Sequence, residues 1–172
     1  YLSKTQELID FSNHAFYDMT LQIAPNISRN SKSRPIERYK VNGKWIDRRN
    51  VAEAKKIVEI VRDILATRKS NESIGIITFN SDQQTCIADM IDKACLADPK
   101  FRARIAAEKS RTDGGEDVGL FIKNLENVQG DERDIIIFSI GYAENADGKV
   151  YTNFGSLSAE GGENRLNVAI TR

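Results

Sequence analysis

Apolar positions along this chain follow two spacings, one that suits helices with a single buried face and one that suits buried strands. Ser3-Lys4-Thr5-Gln6 has the spacing of a capping box, and Leu8, Ile9, Phe11 and Phe16 then give the following helix an apolar side. Asn50-Val51-Ala52-Glu53 opens a second helix, with Asn50 as cap and Glu53 in the reciprocal position. Its Ala54, Ile57, Val58, Val61, Ile64 and Leu65 recur on one face, leaving Lys55, Lys56 and Glu59 on the solvated side. Ser73 to Phe79 and Ile135 to Ile140 are continuous apolar runs bounded by polar residues, the pattern of strands covered on both faces. After the first run comes a helix carrying Ile87, Met90, Ile91 and Cys95. Asp98-Pro99 then starts another, with Phe101 and Ile105 inward, and Val118 to Ile122 begins a further strand. Strands joined by helices predict an α/β fold with an open, mainly parallel sheet whose ligands gather at the carboxyl ends of the strands. Thr78, Asn80 and Gln84 stand at one such end, where Asn80 or Ser81 also suits the cap of the next helix.

The connections carry their own signals. Tyr39 to Val41, Asn42-Gly43 and Lys44 to Ile46 read as a hairpin, because Asn-Gly is the favoured type I′ pair. Trp45 either packs across that hairpin or stacks on a nucleic-acid base. Thr112 to Asp117 reads as a flexible acidic loop. Gly141 to Asn164, rich in glycine and without clear periodicity, reads as a long functional or mobile loop.

Composition narrows the class only a little. At 172 residues and 40% hydrophobic content the chain buries one good core and reads as one domain. Its 25 basic and 25 acidic residues cancel, so no global field draws it to nucleic acid and any such contact is local. One local candidate is Asn26 to Lys40, with Arg29, Lys32, Arg34, Arg38 and Lys40 against Glu37; a solvated loop explains it equally well. Cys86 and Cys95 form no CxxC pair and the single histidine is His14, which argues against a zinc site or a disulfide scaffold and suits a reducing, cytoplasmic setting. No apolar run approaches the roughly 20 residues needed to cross a bilayer, so no membrane partner is expected.

Chemistry concentrates in two stretches. Asn124 to Asp134 places amides, a glycine and charges directly ahead of Ile135 to Ile140; Gly130 lets the backbone approach a ligand, and Gln129 and Glu132 offer hydrogen-bonding groups beside it. A turn with solvated charges accounts for the same residues. Arg165-Leu166-Asn167-Val168-Ala169-Ile170-Thr171-Arg172 puts Leu166, Ala169 and Ile170 on one helical face with an arginine at each end. A guanidinium fork suits the charge that develops on a transferring phosphoryl group, and it also suits a surface cap.

Taken as an ordered pair, Gln129-Gly130-x-Glu132-x-Asp134 before an apolar strand and Arg165 to Arg172 after it resemble motifs V and VI of superfamily 1 helicases. The branch they resemble contains the nonsense-mediated-decay helicase and its large bacterial relatives. Ser73 to Asn80 is similar to motif IV, with Phe79-Asn80 where Pro-Tyr is common, and Tyr1-Leu2-Ser3 departs from a Tyr-Arg-Ser triplet whose arginine touches the terminal phosphate. Large bacterial members also carry an insertion with an Asn-Phe-Gly like Asn153-Phe154-Gly155.

The resemblance implies that residues 1–172 are the second RecA-like domain of a larger protein. Such a domain is three-layered, with a mainly parallel central sheet, and here it would be cut before its last strand. Neither GxxxxGK[ST] nor a metal-holding acidic pair is present in the sequence, so ATP with Mg2+ would be bound mainly by a first RecA-like domain of the same protein, and this fragment alone would be inactive. By the same resemblance Arg172 is the arginine finger, and Gly130 and Glu132 line the nucleotide cleft with Glu132 near the ribose. Gln129 couples the cleft to nucleic acid, and Arg165 contacts nucleotide or braces the motif. Thr78, Asn80 and Asn124 face single-stranded DNA or RNA. The whole is then an ATP-driven helicase or translocase. A non-catalytic RecA-like module that binds nucleic acid or protein is the alternative, favoured by Leu2 and the zero net charge. A free-standing nucleotide-binding enzyme fits less well, because no phosphate loop follows either buried strand.

Overall fold

The computed structural model describes residues 36–128, 131–150 and 153–162, together with 10, 13–15, 19 and 166. The expected helix from Ser3 to Phe16 and the helix of Arg165 to Arg172 therefore lie largely outside the described residues.

Helix α1 (Val51–Thr67) starts where the sequence places it. Asn50 is extended and its Oδ1 accepts from the Glu53 amide at 3.1 Å, while Ala54, Ile57, Val58 and Val61 are buried along one face. Strand β1 (Ile74–Thr78) is buried at every position. Helix α2 (Ser81–Ala97) follows and buries Gln83, Cys86, Ile87, Ile91 and Cys95. Asp98 closes α2 and opens α3 (Pro99–Lys109): its amide donates to Ala94, and its Oδ1 accepts from Lys100 and Phe101. These contacts, led by the Phe101 amide, hold the Asp98 carboxyl below its ordinary range.

Strands β2 (Thr112–Asp113) and β3 (Glu116–Asp117) pair antiparallel across Gly114-Gly115, both with positive φ. The stretch expected to be a flexible acidic loop is thus a short hairpin. The converse holds at Asn42-Gly43, where no strand pair forms. The turn there sits at Asp47-Arg48, with φ of 50° and 60°, and closes an Ile46–Arg49 bridge. Asn-Gly is the better type I′ pair in isolation. Gly43 is used otherwise: a Cβ there would fall 2.1 Å from Asn50 Oδ1, so this glycine lets the chain pass the α1 cap.

Strands β4 (Phe121–Asn124) and β5 (Ile135–Ser139) flank β1, and all three run parallel in the order β4-β1-β5. Alternation along β1 splits the interior. Ile74 and Ile76 join the apolar faces of α1, α2 and α3, whereas Ile77 joins Phe121, Leu125 and Val128 on the other side, with Ile136, Phe138 and Leu157 packed against them. The fold is therefore α/β with a parallel sheet, as read from the sequence. Strand β5 departs from that reading: Ile135 to Phe138 are half-buried rather than covered on both faces, since only β1 pairs with that strand among the described residues.

Among the described residues Glu108 is the most deeply buried charge. Its carboxylate, 3% exposed, accepts from Arg68 at 2.5 and 3.0 Å and from Arg111 at 2.7 Å, and both guanidinium groups also reach the Glu72 carbonyl. The cluster fastens the end of α1 to the end of α3.

Candidate nucleic-acid and nucleotide interface

The carboxyl ends of the three parallel strands lie in one row, because Thr78 is the register partner of both Asn124 on β4 and Ser139 on β5. Three residues singled out from the sequence, Thr78, Asn80 and Asn124, are thereby brought to one edge. Thr78 is wholly buried and its hydroxyl donates to the Asn80 carbonyl at 2.8 Å. Asn80 caps α2, its Oδ1 accepting from Gln83 N at 2.8 Å, while its enclosed Nδ2 has no hydrogen-bond partner among the described residues. Asn124 folds over its own turn, Oδ1 accepting from Glu126 and Asn127. Gln84, expected at the same edge, braces α2 to the sheet by donating to the Ile122 carbonyl at 2.8 Å.

Glu132 is elsewhere. It is exposed in the segment leading into β5, at the amino ends of the strands. There Asp134 Oδ2 accepts from Ser73 N at 2.9 Å and from its hydroxyl at 2.7 Å, and Arg133 Nε donates to Gly119 O; Asp131, one residue earlier than Glu132, pairs with Lys123 near the carboxyl end of β4 at 2.7 Å. Gln129, Gly130, Arg165 and Arg172 lie outside the described residues.

The sequence reading missed the group that organises the carboxyl edge. Asn50 and Glu53 do not complete a capping box with each other. The Asn50 amide donates to Gln83 Oε1 at 2.7 Å instead, and the Glu53 carboxylate accepts from the Ser139 hydroxyl at 2.8 Å and the Gly141 amide at 3.0 and 3.1 Å. Gln83, fully buried, also donates to Ser139 Oγ, and Asn50 Nδ2 donates to the Gly141 carbonyl. Two helix starts and one strand end thus share a single polar knot. The clue in the sequence was a glutamine three residues after a cap, at a position where the apolar periodicity of α2 demands burial.

Past the knot, Gly141 has φ of 78°, and a Cβ there would strike the Trp45 ring at 2.9 Å. This close approach seats Tyr142 against Trp45 with centroids 4.7 Å apart, and Phe154 meets Tyr142 edge-on at 5.0 Å. Burial pushes the Tyr142 phenol above its ordinary value. The Trp45 amide donates to the Glu144 carbonyl at 2.9 Å, so the segment before α1 and the segment after β5 are laced together.

Among the described residues no group of three or more His, Cys, Asp or Glu side chains is arranged to hold a metal ion, and no helix is long and apolar enough to cross a membrane. Cys86 and Cys95 are free and buried.

Compared with known proteins, residues 4–172 match the family described as AAA domain. A protein of Mycoplasma pneumoniae named as an uncharacterized ATP-dependent helicase is 42% identical over 175 aligned positions. A Mycoplasma genitalium protein with a like name is 41% identical. The match covers 100% of this chain and 14% of each relative, so the chain spans a small part of the length of either.

Proposed function

Because the chain belongs to the AAA domain family, we propose that it is the second motor domain of an ATP-dependent superfamily 1 helicase or translocase. In this reading Arg172 extends its guanidinium across a cleft to the phosphoryl group being transferred. Gly130 and Glu132 line that cleft, Gln129 relays its closure, and Arg165 braces the motif or contacts the nucleotide. ATP and magnesium are held mainly by the first motor domain of the same protein. Asn80 and Asn124 meet single-stranded DNA or RNA, and Thr78 acts through Asn80, whose carbonyl it holds. The enclosed Nδ2 of Asn80, without a partner among the described residues, supports this assignment: a buried unpaired donor is unfavourable, and an oxygen of a bound strand would satisfy it.

The observation that carries the reading is the ordered motif pair, Gln129 to Asp134 and Arg165 to Arg172, set around a strand of a parallel sheet. The relatives' printed names, ATP-dependent helicase, support its coarser part. A finger delivered across a cleft stabilises transition-state charge only on closure, and is worth about 10³- to 10⁵-fold in phosphoryl transfer. In the full-length protein, Arg172→Ala should therefore lower ATP turnover by about 10³-fold or more while a fluorescent ATP analogue still binds. Unchanged turnover rejects the finger. A wild-type protein that binds single strands but never hydrolyses ATP would favour the non-catalytic module instead.

A further inference from the structure

The aromatic row at the end of β5 has no place in either apolar core. Trp45, Tyr142 and Phe154 lie outside both clusters, and Phe154 remains 39% exposed. Single apolar side chains at a surface are ordinary, but rings in contact with one another form the contiguous kind of patch that marks an interaction site. The geometry points to a base-stacking platform for single-stranded nucleic acid, formed by Trp45, Tyr142 and Phe154 and flanked by Lys44 and Arg48.

Four observations bear on the occupant. The rings stand just beyond Ser139, on the same strand-end row as Thr78 and Asn124, so a strand meeting Asn80 and Asn124 has this platform next along the edge. The backbone beside two of the rings is anchored: Glu53 accepts from the Gly141 amide and the Trp45 amide donates to the Glu144 carbonyl, so little backbone freedom is lost there when a base settles on them. The local charge is right although the chain's net charge is zero, since residues 36–50 carry Arg38, Lys40, Lys44, Arg48 and Arg49 against Glu37 and Asp47. Finally, Lys44 and Arg48 are paired to Glu144 and Asp82 with side chains 50% and 71% exposed. Ion pairs so open to water hold weakly and exchange readily for backbone phosphates. Rings interleaved with cations are the chemistry that grips single strands without reading sequence.

The inference rests on the proposed nucleic-acid function, and its test separates the two. Fluorescence anisotropy of the nucleotide-free, full-length protein would be measured with labelled oligothymidine and oligouridine, which distinguish DNA from RNA, and with an abasic strand of equal length. The wild type should prefer base-bearing strands. Phe154→Ala and Trp45→Leu should each weaken that binding by about tenfold, with little change on the abasic strand, and Trp45→Phe should retain it. If the wild type prefers bases and both variants match it, the platform is wrong while the helicase reading stands. Equal weakening on both strands by Trp45→Leu, with Phe154→Ala unaffected, would mark a scaffold residue and also overturn the platform. A wild type that binds no single strand overturns both proposals.

Discussion

Replacing Glu53 by alanine is the sharpest probe of how the carboxyl edge is built. Its carboxylate is the acceptor for two donors, the Ser139 hydroxyl at 2.8 Å and the Gly141 amide at 3.0 Å. Ser139 is fully buried and Gly141 lies beneath the Trp45 ring, so water reaches neither easily. A donor stranded in such surroundings costs about 1–3 kcal/mol, which for two gives roughly 2–6 kcal/mol. That is a large part of the roughly 5–15 kcal/mol that separates folded from unfolded domains. Glu53→Gln is milder. Oε1 accepts both donors in the structure, and an amide oxygen in its place keeps both bonds, with a loss of about 1 kcal/mol from the missing charge. Hydrogen exchange read by mass spectrometry on the full-length protein would report the effect locally. Peptides spanning residues 139–145 should lose protection by about 30-fold or more in Glu53→Ala and by about fivefold in Glu53→Gln, following a tenfold change per 1.4 kcal/mol. Protection in Glu53→Ala within twofold of wild type would refute the claim that this carboxylate anchors the edge.

Two further outcomes follow from packing and capping. Gly75→Ala should destabilise by about 1–3 kcal/mol in urea unfolding, because the added Cβ would fall 2.5 Å from the Phe121 ring and 2.9 Å from Ile136 between paired strands; an unchanged midpoint would show that the sheet yields at no cost. Asp98, held below its ordinary value of 3.8 chiefly by the Phe101 amide, contributes stability that is present above that value and lost as pH falls through its lower folded value. The stability gap between wild type and Asp98→Ala should accordingly narrow as acid takes the pH below about 4, and a gap that widens there would reverse the assignment.

Local rules account for what was legible in the sequence. The helices at Asn50, Asn80 and Asp98 begin where a short polar side chain precedes an apolar period, and β1 is a run that admits no solvent face. These features depend on neighbours within one turn. Partners chosen across the fold were not legible. Glu53 has capping-box spacing, yet its carboxylate goes to Gly141, because the Asn50 amide is already taken by Gln83. Asn42-Gly43 has the better turn chemistry, yet Asp47-Arg48 makes the turn, since Gly43 is needed where the chain crosses Asn50. Of the candidate site, the place of Thr78 and Asn80 at a strand's carboxyl end was legible; the alignment of Asn124 with Thr78 was not, since it depends on the register of β4 against β1. Nor was the placement of Tyr142 against Trp45, because it depends on a positive φ at one glycine in a long aperiodic segment.

Strand β5 is the element through which the two halves of the proposed site would communicate. At its amino end Asp134 and Ile135 are pinned to Ser73, with the Ser73 hydroxyl accepting from the Asp134 amide at 2.9 Å and the Ser73 carbonyl accepting from Ile135 N at 2.9 Å. At its carboxyl end Ser139 and Gly141 are pinned to Glu53. Between them runs a short strand hydrogen-bonded to β1 throughout, and such a strand does not stretch appreciably. Because β5 is paired with β1 along its whole length, a movement of the Glu132 segment would have to carry β1 with it to reach Gly141, beneath the Trp45 ring. The polar knot at that end ties β5 to the start of α1 through Glu53, so any such movement would be shared with α1.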